Sequence, residues 1–179
     1  MPSSRLAAAD RDFFAALADV VFGNPFTAQR DQLIVRLAPG TPLGDFTTHR
    51  EALARVVGPR LKLWLQEGAA ALQRLTAEDR RLLEPPLLYV AYHRYVPQFD
   101  AHIEKQARQG GAPLAVSFAD EMIAELVRSG FAEERAERYF ALFFQLRRAF
   151  YFILGSLAGE REPMRRLRPA RWNNVSTHD

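Results

Sequence analysis

The sequence predicts an all-α protein, a single-domain bundle of about six to seven helices followed by a C-terminal linker tail. Three observations carry that expectation. Apolar residues recur at three- and four-residue steps through most of the 179 residues, the spacing that builds one face of a helix. No stretch keeps the period of two that a half-buried strand needs, and the strand-like string Leu33-Ile34-Val35 has no second strand to pair with. Glycine, proline and asparagine cut the chain into segments of helical length. The domain is expected over residues 1–158 and the tail over 159–179.

In chain order, Asp10 is the expected N-cap of a first helix with Phe13, Phe14, Leu17, Val20 and Val21 on one face and Gly23 at its end. After the Asn24-Pro25 turn, Thr27 caps a second helix carrying Leu33, Ile34 and Leu37, which Pro39-Gly40 terminates. A third runs from about Phe46 to Val57 and stops at Gly58-Pro59; a fourth takes up at Leu61 and includes Leu63, Trp64, Leu65 and Leu72. Thr76-Ala77-Glu78-Asp79 has the spacing of a cap with acids in the first turn and opens a short piece. Pro85-Pro86 suits the start of a fifth helix, Leu87 to Ile103, with a kink or break expected at Pro97. Beyond the Gly110-Gly111-Ala112-Pro113 loop, Ser117 is the expected cap of a sixth helix with Met122, Ile123, Leu126 and Val127 inside and Gly130 closing it. The last helix begins near Ala132. From Arg138 to Leu157 it is so apolar that most of its surface must be covered by the rest of the chain or by a partner.

Composition narrows the function. A formal net charge of +3 is too small to argue for nucleic-acid contact by the body of the chain. Only Lys62 and Lys105 are lysines; the arginines that make up the other basic residues are scattered and mostly sit near acids. Five arginines against three acids concentrate the excess in residues 160–179. There is no cysteine, hence no disulfide, thiolate nucleophile or cysteine-based metal site. No secretory leader and no run of some eighteen uncharged apolar residues is present, so a cytoplasmic chain without a membrane span is expected. No glycine spacing matches a phosphate loop, and no helix-turn-helix carries base-reading polar residues.

Two constellations remain. Tyr89, Tyr92, Tyr95 and Phe99 recur at helical spacing, with His93 among them, and face Phe143, Phe144, Phe150 and Tyr151 of the last helix. They read either as an aromatic core seam or as a pocket for a small hydrophobic effector with tyrosine hydroxyls as polar handles. His93, Asp100 and Glu104 share a helix face, and with Glu133 or Glu137 they form the alternative, a metal-binding or enzymatic bundle. Neither a metal nor a cofactor is otherwise called for.

The tail adds a resemblance. Pro163-Met164, Leu167-Arg168, Trp172 and Thr177-His178-Asp179 fall at the spacing of a junction in a group of bacterial sigma-54-dependent transcriptional activators. In these a helical N-terminal domain is followed directly by an ATPase domain of the AAA+ superfamily. Tyr92-His93-Arg94-Tyr95 with Phe99-Asp100 is similar to the same group's N-terminal regions. The resemblance spans about seventeen tail residues and, more weakly, some fifteen upstream; Ser176 stands where the pattern has phenylalanine. It implies a non-enzymatic, signal-sensing regulatory domain whose ATP-hydrolysing and DNA-binding parts would lie beyond Asp179. Met164, Leu167, Arg168, Trp172, Thr177, His178 and Asp179 would form the interdomain junction. The implied partners are a second copy of the chain, the AAA+ domain, and a small effector or a regulatory protein.

Overall fold

The computed structural model describes residues 5–42, 46–110 and 113–156, together with Pro169 and Trp172 of the tail. Among the described residues there are seven α-helices and no strand: α1 (Ala8–Phe22), α2 (Ala28–Leu37), α3 (Phe46–Glu67), α4 (Ala69–Gln73), α5 (Ala77–Arg108), α6 (Ala119–Arg128) and α7 (Glu133–Ser156). The all-α bundle read from the periodicity is the architecture found. No described helix is long and apolar enough to cross a membrane.

The longest helix, α5, is the hub, touching α1, α3, α6 and α7. Its buried residues include Leu83, Leu87, Leu88, Tyr95, Phe99 and Ile103, spread over several faces, as a helix enclosed by neighbours requires. Phe13, Phe14, Leu17 and Val20 carry α1 onto it. The first turn of α5 is tied to the start of the chain by Asp79, which is fully buried. Its carboxylate accepts from the Leu6 amide at 3.2 Å and pairs with Arg11, which reaches Glu78 as well at 2.6 Å. Thr76 caps this end, its hydroxyl accepting from the Asp79 amide at 3.1 Å.

Two expected breaks are absent. The segments placed on either side of Gly58-Pro59 are one helix, α3; Leu53, Val57 and Leu61 are fully buried at four-residue steps across the proline, while Pro59 lies on the exposed side. A missing amide on the wet face leaves its carbonyl partner to water, and the buried stripe outweighs that loss. The fifth helix likewise begins at Ala77 rather than at Pro85-Pro86, and runs through both prolines and Pro97. Anchorage at Asp79 and burial of Leu83, Leu87 and Leu88 hold that interior together.

Other boundaries shift by a residue or two. α1 starts ahead of Asp10, which sits in its first turn and pairs with Arg60. Phe118 rather than Ser117 is the N-cap of α6 and offers no side-chain cap. The α6 end is closed by Ser129 and Gly130: the Phe131 amide donates to the Leu126 carbonyl at 3.2 Å and that of Gly130 to Val127 at 2.9 Å. Gly130 holds a positive φ of 99°, and a Cβ there would lie 2.6 Å from Leu72 Cδ1. This is a position for glycine on both counts.

The apolar last helix is covered by this chain along one side. Phe143 meets Tyr92 with ring centres 5.2 Å apart, and Phe140 and Phe144 lie 6.0 and 6.1 Å from Phe99. Leu142 and Phe152 remain exposed.

Candidate functional site

A cavity of about 280 Å³ lies where the end of α1, the start of α2, α3, α5 and α7 converge, with Trp172 of the tail as a further wall. Helical spacing supplies its surfaces. On α5, Leu88, Tyr89, Tyr92, His93 and Val96 follow steps of one, three and four residues; on α7, Phe143, Leu146, Arg147 and Phe150 do the same. Val20, Val21, Gly23 and Pro25 close the α1–α2 side. The turn there is built by Asn24, whose Oδ1 accepts from the Phe26 amide at 3.0 Å, and by Thr27, whose hydroxyl donates to the Asn24 carbonyl at 3.1 Å. Thr27 then caps α2 by accepting from the Arg30 amide, which sets Arg30 one turn inside the helix at the cavity wall.

Among the described residues the walls hold three arginines, Arg30, Arg50 and Arg147, and no carboxylate. Arg147 is engaged with Asp100, its Nε donating to Oδ1 at 2.7 Å and its Nη2 to Oδ2 at 2.5 Å, and it lies over the Phe150 ring with 5.1 Å from guanidinium carbon to ring centre. Burial lowers the Arg147 pKa, but the hydrogen bonds it donates to Asp100 and Tyr92, with the electrostatic attraction of the same two groups, outweigh it, so the net shift is upward. Arg30 has no such relief. Its Nε donates to the Val20 carbonyl at 3.3 Å, its Nη1 is buried without a partner, and burial holds its pKa below the ordinary value despite the nearby Asp31, Tyr89 and Tyr92. Asp31 itself points its carboxylate at His49, 3.4 Å from Nδ1, while His49 Nε2 meets the Pro42 carbonyl at 2.7 Å.

His93 lies between the tyrosines, 4.2 Å from Tyr89 and 5.0 Å from Tyr92, ring centre to ring centre. Burial first, then the positive charges of Arg50, Arg30 and Arg147, push its pKa down to about 3. It is therefore neutral at physiological pH, and its Nδ1 is buried without a hydrogen-bond partner. Burial raises the hydroxyl pKa of both Tyr89 and Tyr92; Tyr89 donates to the Arg50 carbonyl at 3.4 Å. This is an apolar, aromatic chamber with a positive lining. No family model matches this chain, and the comparisons with curated proteins and with solved structures found no match.

The aromatic seam read from the sequence divides in two. Tyr89, Tyr92, His93 and Phe143 line the cavity. Tyr95, Phe99 and Phe144 do not; they pack with Phe118, Phe140 and His102 in the solid core, where Tyr95 stacks on Phe118 at 6.0 Å and its hydroxyl meets Glu125 at 3.3 Å. Tyr151, next to Phe152, lines neither. Pocket and core thus adjoin along one stripe of α5, where the rings of Tyr92 and Phe99 lie 6.2 Å apart.

Of the junction residues, Trp172 is described and packs against Phe26 and Phe150, ring centres 5.9 and 6.4 Å away; beside it the Asn24 Nδ2 donates to the Pro169 carbonyl at 3.0 Å. Met164, Leu167, Arg168, Thr177, His178 and Asp179 lie outside the described residues. His93, Asp100 and Glu104 do not converge. Asp100 is taken by Arg147 and Glu104 by Arg108 at 3.0 Å, while Glu133 and Glu137 are exposed. Among the described residues no three such side chains are placed to hold a metal ion.

Arg30, Arg50 and Arg147 were missed as site residues. Arg147 had a visible signal, one of two adjacent charges, Arg147-Arg148, set one turn beyond Phe143 in the aromatic half of the last helix. Nothing local marks Arg30 or Arg50.

Proposed function

We propose that this chain is a non-enzymatic regulatory domain that senses a signal by binding a small effector in the cavity, and passes it to a sigma-54-dependent activator through α7 and the tail. One observation carries the reading: Trp172, a residue of the junction-like tail, forms a wall of the same cavity that α5 and α7 enclose. An occupant of the chamber touches the tail directly. A ligand shifts a conformational equilibrium only by binding its two states unequally, and a wall that belongs to the moving part supplies that inequality. A homodimer through part of α7 belongs to the same proposal, supported by the exposure of Leu142 and Phe152 on that helix.

The reading frame beyond Asp179 tests the connection. An in-frame AAA+ domain with a phosphate loop is expected there, and a stop codon refutes it. In the full-length activator, Trp172→Ala is then expected to uncouple ATPase activity from the signal; ATPase activity that still follows the signal rules out this route. Light scattering at high concentration checks the dimer, which a strict monomer excludes.

A further inference from the structure

We infer that the cavity is a receptor for a small monocarboxylate with a flat apolar body, with Arg30 the group that takes its charge. The inference rests on the effector reading of the cavity but not on the link to a sigma-54 activator.

The argument begins with charge. Among the described residues, three guanidinium groups and no carboxylate line the chamber. Arg147 already has its counter-ion in Asp100, and its bidentate geometry leaves little to offer. Arg30 has no counter-ion among the described side chains; the adjacent Asp31 is turned toward His49. A guanidinium whose Nη1 is buried, and whose hydrogen bond among the described residues is from Nε to one main-chain carbonyl, is an unfavourable thing to retain, and an anion beside it removes the penalty. Its planar fork matches a carboxylate. His93 adds a second polar point, since its Nδ1 is also buried and unpartnered and its ring stays neutral beside the arginines.

The remaining surface sets the rest of the ligand. Tyr92, Phe143, Phe150 and Trp172 are aromatic walls, suited to a flat apolar body. At about 280 Å³ the chamber lies just below the roughly 300–1,000 Å³ usual for ligand sites, which fits one ring and a short acid and is too small for a nucleotide. A phosphate ester would demand several free donors, whereas among the described lining residues Arg30 and Arg50 alone are uncommitted to an acid.

Isothermal titration calorimetry on the whole chain tests this, with benzoate and phenylacetate as probes and benzamide and 2-phenylethanol as their neutral counterparts. The acids are expected to bind at least tenfold more tightly than the neutral molecules. Arg30→Met is expected to erase that preference while benzamide binding stays within twofold; Arg30→Lys, which keeps the charge without the fork, should retain part of it. Circular dichroism confirms that each variant is folded, and Arg50→Met serves as a second charge deletion if Arg30→Met is not. Equal or tighter binding of the neutral probes overturns the anion assignment while leaving an effector cavity in place. Failure of every probe to bind overturns the assignment as well. Carboxylate binding by a chain whose reading frame stops at Asp179 would instead refute the activator connection alone.

Discussion

Replacing Arg30 by methionine, in the absence of ligand, is expected to make the protein more stable. The substitution keeps an unbranched apolar stem and removes a guanidinium whose Nη1 is buried with no partner. Leaving such a donor unsatisfied costs about 1–3 kcal/mol. Against this stands the hydrogen bond from Nε to the Val20 carbonyl, 3.3 Å long, with a net worth of about 1 kcal/mol. The balance is a gain of about 1 kcal/mol, or about 2–4 °C in Tm for a chain of this size. The same substitution at Arg147 should act in the opposite direction. There it leaves Asp100, only 30 % exposed, without the two hydrogen bonds it now accepts, and a loss of about 2 kcal/mol follows for a partly buried pair. Scanning calorimetry on the two variants and the parent, dialysed free of small acids, measures the contrast. A Tm for Arg30→Met that falls by 2 °C or more would refute the reasoning, because it would make Arg30 a structural residue with a partner of its own.

The pH profile should report His93. Its folded pKa of about 3 lies below the ordinary value of 6.5, so the unfolded chain binds the extra proton first, and stability is lost as pH falls below that ordinary value. The loss from this group is about 2 kcal/mol between pH 7.5 and pH 5, and His93→Asn should flatten that part of a urea-melt series. His102, whose pKa burial also lowers, adds a slope of the same sign that persists in the variant. Asp79→Asn, which takes the buried carboxylate away from the part-exposed Arg11, should cost about 2 kcal/mol by denaturant melts with an unchanged m-value. Gly130→Ala, with φ at 99° and Leu72 Cδ1 at 2.6 Å, should cost more than about 1 kcal/mol in the same assay.

Much of the fold was legible because its signals are local. The stripes Phe13–Val20 and Met122–Leu126 and the Thr27 and Thr76 caps need only neighbours within a turn or two to be read. The helix breaks assigned at Pro59 and at Pro85-Pro86 failed for the converse reason. A proline's cost is local, but what offsets it, burial of Val57 and Leu61 or of Leu83 and Leu87, comes from packing against distant helices. The same division separates the aromatics from the arginines. A ring's periodicity tells which face it shares, so Tyr89, Tyr92 and Phe143 were found, although nothing in the spacing separates the cavity side from Tyr95 and Phe99. Whether an arginine is neutralised is decided by tertiary partners: Arg11 finds Asp79, Arg60 finds Asp10 and Arg147 finds Asp100, each far away in the chain. Arg30 has an acid as its immediate neighbour and is still unserved, because Asp31 faces His49. Proximity in sequence is a poor guide to charge pairing when successive helical residues point about 100° apart.

Under the regulatory proposal, the size of the signal is bounded by what holds the tail. Among its described contacts Trp172 meets the rings of Phe26 and Phe150, and such contacts are worth about 0.5–1.5 kcal/mol each beyond the area they bury. A ligand in the chamber favours the docked tail by no more than the interaction it makes with the docked ring. One aromatic contact of about 1 kcal/mol moves that balance about fivefold, at the lower end of ordinary allosteric coupling. Arg30 cannot enlarge this factor by itself, since it stands on α2 and takes the ligand's charge whether or not Trp172 is in place; it sets affinity, and the tryptophan sets coupling. The two roles are therefore separable by mutation: Arg30→Met should raise the ligand concentration required without changing the maximal response, and Trp172→Ala should lower the maximal response. A response much steeper or larger than about fivefold would have to arise from several copies acting together.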